Sequence, residues 1–378
     1  MLCKKLSTED GTTKMCNECL AVVNNADSVI IFGAGVGGRQ LFDFLVENNL
    51  QHKVGAFSDN NTLKFYNSFR GVNIIPPYEL YKKYPFSTII IASSAYLQIK
   101  AQLLREGYSD NKIVLFNFAF SDLKYSDKDY IYDNICDFEK AFMLLEDDKS
   151  RDIFINILNY KISKLDKYLV ELQKVVDDEV YQYFDFDLYH PSDNEIIVDV
   201  GAFTGDTLDC FVNKHKCKYK KYICFEADPN TYLELKKNIN QNGWLNIEAY
   251  NIGLWNKKGI LKLSVENSGS SGIAEIEDKN LRSIHADTLD NILIDGSVTL
   301  IKMDIEGAEF NALCGMQETI IKNKPILAIS VYHKRDDYFK LLGYIDALLP
   351  GEYKYYFRQY RYTPTETVCY AIPKHRRI

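Results

Sequence analysis

Long apolar runs, a surplus of basic residues and an export signal are all missing from this sequence. No apolar stretch approaches the roughly 18–20 residues of a membrane-spanning helix, so no span is expected. Lys and Arg total 45 against 52 for Asp and Glu, which gives a formal net charge of −7. Because nucleic acids and anionic membranes are bound by basic surfaces, neither is an expected partner. The opening residues, MLCKKLSTEDGTTKMC, have no apolar core of the secretory type, so no export is expected.

Cysteine is present but lacks the pattern of a disulfide framework. The nine cysteines are an odd number, scattered along a chain of 378 residues. Cys16 and Cys19 form a CxxC pair, but a zinc site needs about four ligands and only Cys3 is close in sequence. We therefore expect free thiols in a reduced, cytoplasmic protein. Separately, the length of the chain suggests two domains.

Apolar strands alternate with helical segments in residues 27–118, which follow an N-terminal segment, 1–26. The first strand leads through a glycine loop into a helix, in SVIIFGAGVGGRQLFDFLVEN. The β-branched run FSTIIIAS is typical of a strand buried in a parallel sheet. This alternation predicts a doubly wound, Rossmann-like α/β domain.

The pattern changes after this domain and then returns. Residues 119–190 contain long, charged, amphipathic segments and predict a helical connector. Alternation resumes in residues 191–378, and its last two strands, EYKYYFRQY and ETVCYAI, should pair antiparallel because their connection is short. We predict an α/β fold with two doubly wound Rossmann-like domains joined by a helical connector, the second with the class I methyltransferase layout and its terminal antiparallel hairpin.

A second glycine loop, VDVGAFTGDT, occupies residues 198–207 and indicates the ligand. Gly201 and Gly205 let the backbone approach a ligand without an intervening Cβ, and carboxylates at Asp199 and Asp206 flank the loop. A diphosphate would meet like charges there, whereas S-adenosylmethionine carries a sulfonium and an α-ammonium. The predicted cofactor contacts are Asp199, Gly201, Ala202, Phe203, Thr204, Gly205, Asp206, Thr207, Glu226, Asn251, Ile252 and Asp304.

The strand after this loop ends at Glu226, whose carboxylate can accept hydrogen bonds from both ribose hydroxyls. The structural alternative is a capped turn from strand to helix, with Asp228 as the cap and Pro229 in the first turn, and both interpretations can hold because Glu226 and Asp228 are different residues. Adenine should lie beyond the third strand, near Asn251 and Ile252. The polar stretch 268–272 is interpreted either as a lid over the cleft or as a hairpin tip.

The segment LIKMDIEGAE supplies candidate catalytic residues. Lys302, Asp304 and Glu306 alternate on one face of a strand, and strand ends are where such sheets bind ligands. Asp304 is the candidate for the cofactor's methionine end or the acceptor, and Glu306 for orienting the acceptor hydroxyl. The alternative for Lys302 is a structural ion pair with Asp304. His333 follows another strand and is the candidate general base, or else a hydrogen-bonded cleft residue.

A divalent metal held by Asp304, Glu306 and His333 is chemically reasonable, because hard oxygen ligands with one imidazole suit Mg²⁺ or Mn²⁺. No closely spaced ligand motif supports such an ion. The sequence therefore predicts no metal.

The glycine loop of the first domain has a different environment. Gly33, Gly35 and Gly38 satisfy GxGxxG, Asp59 ends the next strand, and no carboxylate crowds the loop. The domain resembles the Rossmann-like domains attached to bacterial sugar-modifying enzymes. Two interpretations stay open: binding of NAD or a nucleotide-sugar, or a degenerate scaffold that presents the acceptor or forms a homodimer.

Several motifs together resemble the FkbM family of methyltransferases, over roughly the last 190 residues and part of the connector. They are IIVDVGAFTGD, CFEADP, DTLD, LIKMDIEGAE, AISVYHKRDD, DDKSRDIF, YQYF and YFRQYRYTPTETVCYAI. The resemblance implies S-adenosylmethionine as cofactor and O-methylation of a hydroxyl, often on a small-molecule sugar or a glycan precursor. The alternatives are a nucleotide-binding module with an inactive methyltransferase-like domain, or N-methylation of an amino-acid or glycan substituent.

Overall fold

The computed structural model describes most of the chain, namely residues 2–9, 12–93, 95–115, 127–165, 167–265, 271–273, 281–293, 296–361 and 363–376. The chain divides into two compact units. The N-terminal unit contains Ser7–Tyr130 and Asn159–Lys167, and the C-terminal unit contains Met1–Leu6, Ile131–Leu158 and Tyr168–Ile378. Each unit is built from separate stretches of chain, whereas the predicted segments 27–118, 119–190 and 191–378 are contiguous. No helix in the described part of the chain is both long and apolar enough to cross a membrane.

The N-terminal unit contains one six-stranded sheet. Its strands are Val29–Phe32 (β1), Val54–Ser58 (β2), Ser68–Phe69 (β3), Val72–Ile75 (β4), Thr88–Ile91 (β5) and Ile113–Leu115 (β6). Their order is β3-β4-β2-β1-β5-β6, and all neighbours are parallel except β3 and β4. The helices are Thr12–Asn25 (α1), Val36–Glu47 (α2), Pro77–Lys83 (α3) and Tyr96–Arg105 (α4).

Two sheets lie in the C-terminal unit. The larger contains Ile196–Val200 (β7), Lys221–Phe225 (β8), Ile247–Tyr250 (β9), Leu300–Met303 (β14), Ile326–Ser330 (β15), Tyr353–Gln359 (β16) and Thr367–Pro373 (β17). The smaller contains Gly253–Leu254 (β10), Gly259–Val265 (β11), Ser271–Ile273 (β12) and Leu281–Asp287 (β13). The larger sheet has the order β16-β17-β15-β14-β7-β8-β9.

The larger sheet is parallel from β15 to β9, while β17 pairs antiparallel with both β15 and β16. The predicted α/β class with parallel sheets is therefore confirmed. The segment ILKLSV belongs to β11, in the smaller sheet, where it pairs antiparallel with β13. The stretch 268–272 falls largely outside the described residues.

Ten further helices are described in the rest of the chain. They are Lys128–Asp133 (α5), Ile135–Leu144 (α6), Asp148–Ser163 (α7), Lys167–Gln173 (α8), Asp206–Asp209 (α9), Pro229–Asn242 (α10), Leu289–Ile292 (α11), Glu309–Cys314 (α12), Gln317–Asn323 (α13) and Asp337–Leu348 (α14). Helices α5 to α8 occupy the segment for which the sequence predicts a helical connector.

The third glycine of the GxGxxG motif has a packing role in the N-terminal unit. A Cβ added at Gly38 would lie 1.7 Å from the carbonyl oxygen of Gly33, so only glycine lets α2 lie this close to the loop after β1. A Cβ at Gly35 would meet nothing within 4 Å. The motif therefore has a structural requirement that is independent of any nucleotide.

We expect Gly38→Ala to lower the free energy of unfolding of the full chain by roughly 1–3 kcal/mol, the usual result of overpacking. Urea denaturation followed by circular dichroism measures this change. The matched control is Gly35→Ala, which should stay within about 0.5 kcal/mol of the parent. Equal stability of the two variants would contradict the packing role of Gly38.

Candidate active site

A cavity of about 380 Å³ lies in the C-terminal unit, at the carboxyl ends of β7, β8 and β14. This edge is where open α/β sheets bind their ligands, and the volume is within the range of small-molecule sites. Two basic side chains, Lys302 and Arg361, line the cavity. Its five acidic lining residues are Asp206, Glu226, Asp304, Glu306 and Glu366. This surplus of negative charge favours a cationic ligand.

The loop after β7 lies against the ends of two neighbouring strands. The N–H groups of Gly201 and Ala202 both donate to the carbonyl oxygen of Phe225, each at 3.0 Å. Gly201 has φ +80°, and a Cβ there would lie 1.9 Å from the carbonyl oxygen of Asp304. Glycine is therefore required at 201 both for the backbone conformation and for the approach to the end of β14.

A buried ion pair lies beneath this loop. Lys302 Nζ is 2.9 Å from Asp199 Oδ1 and donates to the carbonyl oxygen of Gly201 at 2.6 Å. The hydroxyl of Tyr222 donates to Asp199 Oδ2 at 2.9 Å. Burial by itself disfavours the ammonium, but the charges of Asp199 and Asp304 raise the pKa of Lys302, so the side chain stays charged.

Several predicted site residues lie outside the cavity lining. Asp199 is fully buried. Lys302 does form a structural ion pair, as the alternative for this residue supposed, but its partner is Asp199 and not Asp304. The argument for a cationic ligand therefore depends on the carboxylates that line the cavity and not on Asp199. The predicted cofactor residues absent from the lining are Asp199, Ala202, Thr204, Gly205 and Asn251, whereas those in it are Gly201, Phe203, Asp206, Thr207, Glu226, Ile252 and Asp304.

Glu226 joins the end of β8 to the loop after β7. Its Oε2 accepts the N–H of Phe203 at 3.0 Å, and its Oε1 accepts the N–H of Asp228 at 2.8 Å. Each oxygen keeps a second lone pair for a ligand hydroxyl. Burial raises the pKa of Glu226. Asp228 has a separate role as the cap of α10, where it accepts the N–H groups of Asn230 and Thr231 at 2.8 and 3.0 Å.

The side chain of Asn251 supports the same strand end. Its amide donates to the carbonyl oxygens of Glu226 and Ala227 at 2.9 and 3.2 Å. The next residue, Ile252, lines the cavity together with Leu254 and Ile284. These apolar side chains form a surface that suits a flat aromatic ring.

An imidazole and three carboxylates converge after β14 and β15. His333 Nδ1 is 3.0 Å from Glu309 Oε1, and Nε2 is 3.4 Å from Asp304 Oδ1 and 3.5 Å from Glu306 Oε2. Burial disfavours the charged ring, but the three carboxylates raise the pKa of His333 to about 9. The ring therefore carries a proton at neutral pH and is also absent from the cavity lining. Both facts argue against the predicted role of His333 as general base.

Sequence reasoning missed several residues of the site. Glu309 lies inside the LIKMDIEGAE motif, but the chain turns at Glu306 and Gly307, with φ +53° and +93°, so strand alternation does not reach it. Tyr183 donates to Asp304 Oδ2 at 2.6 Å and lines the cavity. Tyr183 was not missed outright, because it belongs to YQYF, one of the motifs that carry the FkbM resemblance. The other missed lining residues with polar side chains are Gln182, Thr231, Tyr332, Arg361 and Glu366.

The glycine loop of the N-terminal unit contacts a carboxylate at the end of the next strand, as the loop after β7 contacts Glu226. Asp59 Oδ2 accepts the N–H of Ala34 at 2.8 Å and lies 2.9 Å from Lys64 Nζ. Although burial opposes it, hydrogen bonds from Lys64, Asn61 and Ala34 lower the pKa of Asp59. The acid is thus already paired with a lysine. A dinucleotide or nucleotide-sugar at Gly33, Gly35, Gly38 and Asp59 stays a prediction.

Comparison with known proteins addresses both halves of the chain. Residues 199–362 match a family model described as the methyltransferase FkbM domain, and residues 25–114 match one described as C2185-like, N-terminal. The methyltransferase FkbM from Methylobacillus flagellatus KT has 22% identity and a TM-score of 0.66, over 96% of this chain and 100% of that chain. No curated protein matches this chain.

Other solved structures are more distant. A putative methyltransferase from Streptococcus mutans in complex with SAH has 11% identity and a TM-score of 0.31, over 55% of this chain and 97% of that chain. Fibrillarin from Aeropyrum pernix with bound S-adenosyl-L-methionine has 10% identity and a TM-score of 0.31, over 52% and 74%.

The predicted FkbM resemblance is confirmed for residues 199–362, which match the model of the FkbM methyltransferase domain, and this match supports a methyltransferase. The Methylobacillus structure shows that the fold is shared along nearly the whole chain. The match over residues 25–114 leaves the predicted similarity to sugar-modifying enzymes a prediction.

We expect Lys302→Met to lower the free energy of unfolding by about 3–5 kcal/mol, because it leaves the Asp199 carboxylate buried without a counter-charge. The double variant Asp199→Asn/Lys302→Met should recover part of that loss, since the neutral amide can still accept from Tyr222. Chemical denaturation of both variants measures the difference. A double variant less stable than the single one would refute the ion-pair interpretation.

Proposed function

We propose that this protein is an S-adenosylmethionine-dependent methyltransferase that O-methylates a hydroxyl on a sugar or glycan precursor. The observation that carries the proposal is the acid-lined cavity at the carboxyl ends of β7, β8 and β14, with Glu226 in its wall. Five carboxylates against two cations disfavour a diphosphate and favour a ligand with positive groups. The FkbM domain match over residues 199–362 supports the same cofactor.

The residues of the cavity fit each part of this cofactor. Glu226 retains lone pairs for the ribose hydroxyls, while Ile252 and Ile284 offer an apolar surface to the adenine. Asp206 and Asp304 supply negative charge for the ammonium and sulfonium groups. Because Gly201 has no side chain, the loop backbone can contact the ligand directly.

When bound, S-adenosylmethionine supplies a methyl group whose transfer to a hydroxyl oxygen breaks the carbon–sulfur bond and releases S-adenosylhomocysteine and the hydroxyl proton. The residues of this chain would accelerate the transfer mainly by aligning the acceptor hydroxyl with the methyl group. Positioning gives effective molarities of roughly 10⁵–10⁸ M, compared with about 10²–10⁴-fold from a general base. We assign the orientation of the acceptor hydroxyl to Glu306, whose side chain lines the cavity and is 42% exposed.

The remaining cavity wall supports a carbohydrate acceptor. Tyr183 and Tyr332 place aromatic rings in the lining, and aromatic faces pack against sugar rings. Gln182 donates to Glu366 Oε2 at 2.8 Å, and Arg361 Nη1 lies 3.7 Å from Glu366 Oε1. This polar group can exchange hydrogen bonds with several hydroxyls. All nine cysteines are free thiols, which supports a reducing, cytoplasmic location for the reaction.

We expect Glu226→Gln to weaken binding of S-adenosylhomocysteine by about tenfold, because the substitution removes the charge from the hydrogen bonds to the ribose. Isothermal titration calorimetry measures the affinity. The control is Glu248→Gln, an acid on β9 that pairs with Lys221 and is absent from the cavity lining. An unchanged affinity in Glu226→Gln would rule out the ribose assignment.

Incubation with methyl-labelled S-adenosylmethionine and a panel of sugars, sugar nucleotides and amino sugars tests the reaction. We expect label on a hydroxyl oxygen of one acceptor class and no label with Gly201→Val, since a side chain at 201 meets the backbone of Asp304. Mass spectrometry of the product locates the methyl group. Label found exclusively on an amino nitrogen would overturn O-methylation in favour of N-methylation.

A further inference from the structure

An acidic cluster surrounds one imidazole beside the cavity. Asp304 and Glu306 follow β14, and Glu309 opens α12. The side chain of Glu309 is completely buried, and that of His333 is 8% exposed. Within the described part of the chain, all ion pairs of these three carboxylates are to His333. One imidazole therefore faces more negative charge than it can neutralise.

Two carboxylates of this cluster each have one committed oxygen and one unpaired oxygen. Asp304 Oδ2 accepts from Tyr183 at 2.6 Å, and Glu309 Oε1 accepts the N–H of Ile305 at 2.9 Å. Asp304 Oδ1, Glu309 Oε2 and both ring nitrogens of His333 are buried and have no hydrogen-bond partner among the described residues. Buried polar atoms without partners are unfavourable, and four at one place indicate an absent ligand.

We propose that Asp304, Glu309 and His333 bind a divalent metal ion of the Mg²⁺ or Mn²⁺ class. One potential ligand atom from each residue lies within 4.8 Å of the others. That separation is slightly wider than the roughly 4.0–4.4 Å between opposite ligands of an ion at about 2.0–2.2 Å, so binding would draw the side chains together by a few tenths of an ångström. Two carboxylates and one imidazole are donors that suit such ions, and binding would release the proton that the ring carries without the ion.

The distances favour a shared ion over direct hydrogen bonds. His333 Nε2 lies 3.4 Å from Asp304 and 3.5 Å from Glu306, beyond the 2.7–3.2 Å of an N–H···O bond. Neighbouring ligands of one ion are separated by about 3.0–3.4 Å. On the other side of the ring, Nδ1 is 3.0 Å from Glu309 Oε1, a separation within the same range, and this nitrogen has no hydrogen-bond partner among the described residues.

The cluster has a route to solvent and joins three elements. Glu306 is 42% exposed, so its side of the cluster is open to an incoming ion. A bound ion would connect the end of β14, the first residue of α12 and the residues after β15. The metal site shares Asp304 with the cavity that the proposed function assigns to the cofactor, and a bound ion would hold this side chain in one position.

Mn²⁺ binding to the chelator-treated full chain tests the site, without S-adenosylmethionine. Electron paramagnetic resonance of free Mn²⁺ gives the stoichiometry and affinity, and thermal unfolding gives a second readout. We expect one Mn²⁺ per chain, displaced by excess Mg²⁺, and a higher melting temperature with Mn²⁺ present. If the parent chain binds no Mn²⁺, the proposal is overturned and the imidazolium alone balances the cluster.

Single substitutions identify the ligands. Asp304→Asn, Glu309→Gln and His333→Gln should each weaken Mn²⁺ binding by at least about tenfold. The matched control is Asp206→Asn, a carboxylate of the same cavity outside the cluster, which should bind Mn²⁺ as the parent does. Circular dichroism checks that each variant is folded. Unchanged Mn²⁺ affinity in the folded Asp304→Asn variant would reject the assignment.

Binding of S-adenosylhomocysteine, measured on the same samples, separates the two proposals. Mn²⁺ binding without S-adenosylhomocysteine binding supports the metal site and contradicts the proposed function. S-adenosylhomocysteine binding without Mn²⁺ binding rejects the metal site and leaves the proposed function supported.

Discussion

The candidate active site depends on one buried cation. Lys302 Nζ contacts the carboxylate of Asp199 and the carbonyl oxygen of Gly201, and it lies 5.2 Å from the ring centre of Tyr183. These contacts connect β14, β7, the glycine loop and the segment before β7. Because a buried lysine loses its hydration, it is retained only where carboxylates and carbonyl oxygens replace that hydration. The conformation of the glycine loop therefore depends on the buried ammonium group of Lys302, whether or not a ligand contacts it.

Both units use a strand-end carboxylate to hold a glycine loop. Asp59 accepts the N–H of Ala34, and Glu226 accepts the N–H of Phe203. The difference is in the charge: Asp59 is paired with Lys64, whereas Glu226 forms no ion pair among the described residues and lines the cavity. The same local geometry leaves Glu226 free to accept ligand hydroxyls, while the negative charge of Asp59 is already balanced.

Some residues of the cavity lining could be predicted because their positions relative to the end of a strand can be recognised from the local sequence. Gly201, Glu226 and Asp304 each follow a parallel strand directly, and Asp206 begins the helix after β7. The carboxyl ends of these parallel strands meet at one edge of the sheet. Residues such as Tyr183 reach the cavity from segments that precede the sheet, where no strand-end rule applies. Glu309 was missed for another reason, since the backbone reverses at Glu306 and α12 turns this acid back toward the end of β15.

By itself, the sequence determined the alternation of strands and helices, the positions of the glycine turns and the residues that follow each strand, because these depend on short-range periodicity and on steric limits of the backbone. Only the tertiary structure decided which charges meet. Lys302 pairs with Asp199 on the neighbouring strand instead of with Asp304, which follows its own strand, and His333 is enclosed by three carboxylates from the segment 304–309. Charge interactions depend on distance and burial, and both arise when segments far apart in the chain pack together.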